Sequence, residues 1–177
     1  MRFLAILLLL VVILASCAKE DSSTAGLPDD WPVPQLVLGS GWKLSQRVVA
    51  LHKVEDSGYK ERTWLVVFSS RTTLAEASQH VEQCLRPSRY WKMKQGEGPS
   101  GFTSPDLRTY FSPDFYVEVK LGRNDAIKPA GVLGEGEYAI LVIEHDKPPE
   151  ILQAVIDLRA TNPEMADKVR DTMLEPL

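Results

Sequence analysis

Two cysteines and three histidines are scattered through 177 residues, too sparsely for a disulfide framework or a metal centre. His52, His80 and His145 show no H-x-x-x-H spacing, and no cysteine pair stands beside any of them. Positive charge is not in excess either. Lys and Arg total 20 against 24 Asp and Glu, for a net charge of -4. Nucleic acid and anionic lipid both attract a basic stripe, so neither is expected to bind this surface by charge. Internal repeats and long low-complexity tracts are missing, which excludes solenoids and collagen-like chains. What remains is a chain of one-domain length with an ordinary apolar share of 44%.

The amino terminus departs from that ordinary pattern. Met1 and Arg2 give a short positive start, and residues 3–15 are then unbroken apolar sequence. Thirteen residues fall short of the ~20 that a transmembrane helix needs. They suit the core of an export signal. Leu14-Ala15-Ser16-Cys17 follows, and charge returns at Lys19, Glu20 and Asp21. An aliphatic residue, two small residues and cysteine at such a junction resemble the lipobox of bacterial lipoprotein precursors. The resemblance covers residues 1–17 and says nothing about the rest of the chain.

That resemblance implies thioether lipidation of Cys17, cleavage before it, and acylation of the new amine. Residues 1–16 would then be a signal peptide and Cys17 a membrane anchor. In a bacterium with two membranes, a neutral residue such as Ala18 after the cysteine goes with the outer membrane. Losing Arg2 with the signal leaves 19 basic side chains against 24 acidic ones. An ordinary signal cleaved after Ala18, which would discard Cys17, is one alternative, and an uncleaved membrane anchor is another. With Cys17 lipidated, Cys84 has no partner within the chain and the domain must hold together without a disulfide.

Residues 17–30 read as the lipidated cysteine and a flexible polar tether, and residues 31–177 as a single α+β domain. Residues 47–55 and 60–70 carry β-rich runs around Asp56-Ser57-Gly58, a hairpin signal. Thr73-Leu74-Ala75-Glu76 fits a capping box, and Leu74, Ala77, Val81, Cys84 and Leu85 share one helical stripe before Pro87. Three more strands are expected at 89–94, 107–111 and 115–121. In the last, Phe115, Val117, Val119 and Leu121 alternate with Tyr116, Glu118 and Lys120, which predicts one buried face and one wet face. Residues 138–143 are apolar on both alternating sets, as in a central strand. Residues 151–158 and an Asn162-Pro163-Glu164 start predict two terminal helices. The order β-β-α-β-β-β-α-α predicts a mainly antiparallel sheet with helices packed on it.

Chemistry is harder to find. Gly96-Glu97-Gly98-Pro99-Ser100-Gly101 matches G-x-G-x-x-G, but Phe102-Thr103-Ser104-Pro105 is no helix start, so a loop is the better reading. Ser40 and Ser100 sit in turns rather than in a G-x-S-x-G elbow. His80 is expected on the solvated flank of its helix, and Cys84 as a buried, inert thiol. Glu144-His145-Asp146 is the densest acid–base cluster. Neighbours on a strand point to opposite faces, so the three do not converge. Phe102, Tyr110, Phe111, Phe115 and Tyr116 crowd a short stretch, with Tyr110 and Tyr116 expected to face out as a partner surface. The binding candidates are therefore Tyr110, Tyr116 and His145. No cofactor or metal is expected, and no residue stands out as catalytic. The sequence reads as a membrane-anchored envelope lipoprotein with a non-enzymatic binding or structural module. The alternatives are a small envelope enzyme centred on His145, or a hydrophobic-ligand carrier with a cavity of ~300 Å³ or more between sheet and helix.

Overall fold

The computed structural model describes residues 27–54, 59–69, 71–96, 104–123, 127 and 137–177, with the backbone alone at 45–54, 59 and 60. Residues 1–26, and with them the expected signal segment and Cys17, lie outside the described residues, as do Ser100 and Phe102. Of the G-x-G-x-x-G stretch only Gly96 is described, at a positive φ of 81°.

Among the described residues, seven antiparallel strands form one sheet: β1 (Lys43–Val54), β2 (Tyr59–Ser69), β3 (Trp91–Met93), β4 (Leu107–Phe111), β5 (Val117–Gly122), β6 (Glu137–His145) and β7 (Leu174–Pro176). Their spatial order is β1-β2-β6-β5-β4-β3-β7. The helices are α1 (Leu74–Leu85), α2 (Glu150–Thr161) and α3 (Pro163–Met173). This is the expected α+β architecture: all four segments read as strands after α1 form strands, one more than the order β-β-α-β-β-β-α-α counts, and a C-terminal strand is added. β7 is three residues long, too short to show an alternating pattern. It becomes a strand by pairing Leu174 with Met93 and Glu175 with Lys92.

The helix ends follow their sequence signals. Thr73 Oγ1 accepts from the Glu76 amide, and Glu76 Oε2 accepts from the Thr73 amide at 2.7 Å. Asn162 caps α3 by accepting from the Met165 amide, with Pro163 at the first turn. Thr73→Ala should lower the unfolding free energy by about 1 kcal/mol. A urea melt checks this, and an unchanged midpoint would count against the cap.

Both faces of the sheet are covered. On one, Trp64, Val66, Phe68, Tyr110, Val119, Leu121, Tyr138, Ile140 and Val142 pack under Ala77, Val81 and Leu85 of α1. The segment before β1 joins this layer through Leu27, Trp31, Val33, Leu36 and Leu38. Packing thus begins at or before Leu27, inside the stretch expected to be tether. Asp30 adds to this by accepting from Trp64 Nε1 at 3.2 Å and Arg62 at 2.8 Å. On the opposite face, Met93, Phe111, Phe115 and Leu174 meet Leu152 and Val155 of α2 and Ala166 and Met173 of α3. Ile127 closes a smaller cluster there with Leu65, Val67, Leu107, Ala139 and Leu141. Being covered on both sides explains why β6 is apolar at consecutive positions.

Phe115 departs from the expected alternation. It sits in the turn before β5 at φ 66°, with its amide donating to the Ser112 carbonyl. Alternation would put its ring on the α1 side with Val119 and Leu121. The left-handed residue breaks that parity, and the ring packs with Phe111 and Leu152 instead. Burial of a large aromatic offsets a conformation that non-glycine residues rarely adopt.

Candidate functional site

The strongest polar constellation lies at one end of the sheet, on the α2–α3 face. Antiparallel register sets Glu61 of β2 opposite His145 of β6, and Glu118 of β5 opposite Ile143 of β6. His145 therefore lies between two acids from neighbouring strands. Its Nδ1–H donates to Glu61 Oε1 at 3.1 Å, and its Nε2–H donates to Glu118 Oε2 at 3.2 Å. Lys120 Nζ stands 2.9 Å from the other Glu118 oxygen. Charges alternate along this chain of acid, base, acid and base. Side-chain exposure runs 28% at Glu61, 8% at His145, 2% at Glu118 and 17% at Lys120.

Burial alone pulls the proton affinity of His145 down. The Glu118 hydrogen bond and charge, with those of Glu61, outweigh it and hold the ring above the ordinary imidazole value. The arrangement keeps a proton in place. Both ring nitrogens are engaged by carboxylates, so the imidazole presents no lone pair to a substrate or metal. The acids sit on opposite sides of the ring and do not converge on a point. Among the described residues no group of three or more His, Cys, Asp or Glu is placed to hold a metal ion.

Glu118 corrects the sequence reading directly. It was expected on a wet face, yet it is almost wholly buried, because that face carries a second layer and its charge is met by His145 and Lys120. The partners of His145 are likewise not its sequence neighbours. Glu144 points to the α1 face, 3.6 Å from Arg62, and Asp146 is exposed. Only the strand register could reveal Glu61, 84 residues away.

Tyr110 and Tyr116 separate. Tyr116 is 42% exposed and adjoins the cluster, its carbonyl accepting from the His145 amide at 2.8 Å. Tyr110 is fully buried beneath α1, contrary to the expectation that it faces out. Its hydroxyl lies 2.8 Å from Ser78 Oγ and 3.3 Å from Glu82 Oε1. Burial foremost pushes this phenol far above its ordinary value. Phe111 and Phe115 are buried as well, so of the described aromatics in that stretch only Tyr116 faces outward. Among the described residues the expected aromatic patch comes down to a single ring, because α1 covers one face and α2–α3 the other.

Two further residues differ from expectation. His80 is not a solvated flank residue: its Nε2–H donates to the Val37 carbonyl at 3.0 Å, and Trp42 meets the ring edge-on. Cys84 is half-buried, with Sγ 3.7 Å from His80 Nε2. Burial pushes its thiol up, but contacts with His80 and Val37 outweigh that and hold it below the ordinary thiol value. His52 lies on β1 where the backbone alone is described.

A cavity of about 270 Å³ is lined by Leu27, Pro28, Asp29, Trp31 and Pro34. It belongs to the segment before β1. None of its lining residues comes from the sheet or from α1. Among the described residues no helix is long and apolar enough to cross a membrane.

Fold and site together define an α+β domain with an antiparallel seven-stranded sheet, helices on both faces and a buried ionic chain at one end. No protein-family model, curated protein or solved structure matches the chain.

Proposed function

We propose that this protein is an envelope lipoprotein, held at a membrane surface through lipid on Cys17, whose domain serves as a binding or structural module rather than a catalyst. The observation that carries the reading is Leu14-Ala15-Ser16-Cys17 at the end of a 13-residue apolar run. Two features of the fold support it. Leu27 is already packed, and only nine residues separate it from Cys17. Even fully extended, that span reaches at most about 35 Å, so the domain would stay close to the surface. The second feature is His145, the best acid–base candidate, whose two nitrogens are both spent on internal carboxylates.

Among the described residues the exposed large apolar side chains are Tyr116 at the ionic end, Ile156 on α2, and Met165 and Val169 on α3. They supply the module's candidate contact surface for an envelope protein or small ligand. Mass spectrometry of the native amino terminus tests the anchor. A lipid-modified Cys17 as first residue is expected. An unmodified start at Lys19, or an intact Met1, overturns the reading.

A further inference from the structure

We infer that the Glu61–His145–Glu118–Lys120 chain is a proton-operated latch, closed while the imidazole carries both ring protons and released on the Glu61 side when it loses one. This does not rest on the lipid anchor. It follows from what the two nitrogens face. Each is about 3 Å from a carboxylate oxygen, and each carboxylate can only accept. A doubly protonated ring satisfies both. A neutral ring has one N–H and one lone pair, so one contact becomes oxygen against lone pair with no hydrogen between them.

Exposure decides which contact opens. Glu118 has 2% of its side chain exposed and is held from behind by Lys120. Glu61 has 28% exposed and can turn to water. The remaining proton therefore stays on Nε2, bonded to Glu118, and the start of β2 comes free of the end of β6. The facing charges can be named element by element. β2 supplies Glu61, and β5 supplies Glu118 backed by Lys120. β6 itself sends Glu144 to the opposite face, and exposed Asp146 follows its last residue. Tyr116 adjoins this end of the sheet through its bond from the His145 amide, on the β5 side that stays closed.

The sign follows from linkage. A proton held more tightly in the closed form stabilises it fully below the free imidazole value near 6.5. That contribution is lost as pH rises through the raised value of the closed form. In the window between the two, opening should grow by up to about tenfold per pH unit and then level off.

The experiment follows the full chain in detergent from pH 5.5 to 9, by NMR of the His145 ring and by hydrogen exchange of the amides in β2 and β6. Three results are expected. His145 titrates above the free value, its neutral ring carries the proton on Nε2, and protection at residues 61–64 falls across the same window. Glu61→Gln supplies the control. A glutamine amide can donate to a bare Nδ1, so the neutral ring is accommodated, the midpoint drops and the exchange step disappears. The latch is refuted if His145 titrates at or below the free value, if wild-type protection stays level after correction for intrinsic exchange, or if Glu61→Gln changes neither.

Discussion

His145→Leu should cost the domain about 3 kcal/mol of unfolding free energy at pH 6, one of the larger losses available to a single substitution outside the apolar core. Leucine fills much of the imidazole's space but removes both donors. Glu118 then keeps a nearly buried carboxylate with Lys120 as its remaining partner. An uncompensated buried charge is what makes breaking such a pair expensive, more than the lost attraction itself. Glu61 adds little, since it is partly exposed and can hydrate. The same logic predicts a rescue. His145→Leu combined with Glu118→Leu removes the stranded charge, and Lys120 can extend to water. The double variant should return to within about 1 kcal/mol of the parent. Urea unfolding of all three chains tests this. A single variant as stable as the parent, or a double variant that merely sums two losses, would show that the chain is not an energetic unit.

Cys17→Ser should abolish lipid incorporation altogether. A serine oxygen forms no thioether, and no other cysteine stands near the signal junction, since Cys84 lies on α1. The physical consequence is large because anchoring is additive in methylenes. Each contributes about 0.8 kcal/mol, so one acyl chain binds marginally while two or more hold stably. Metabolic labelling with palmitate reads the result directly. Wild type should label strongly and Cys17→Ser at background. Equal labelling of the two chains would place the lipid elsewhere or remove it from the account.

Local signals survived folding where their physics is local. Thr73 and Glu76 form their reciprocal cap with amides that any helix start leaves free, and Asn162-Pro163 starts α3 for the same reason. Alternation along β5 correctly put Val119 and Leu121 inside. It failed at Glu118 because alternation distinguishes two faces without saying whether the second is wet. That depends on α2 and α3, which lie more than thirty residues further on. Tyr110 failed for a related reason. Its hydroxyl permits exposure, but Ser78 and Glu82 supply partners that make burial affordable. Leu27 and Asp30 show the reverse error, since the polar stretch before Trp31 reads as tether until Leu27 is found in the core and Trp64 and Arg62 donate to Asp30.

From sequence alone came the α+β class, the helix starts, most strand positions and the lipobox-like junction at Cys17, because each is written within a few consecutive residues. Tertiary structure alone decided that Glu61 and Glu118 flank His145, that both sheet faces are covered, and that Tyr116 rather than Tyr110 meets solvent. Those outcomes depend on strand register and on which helix lies over which face, and pairings between residues far apart in the chain leave no local mark.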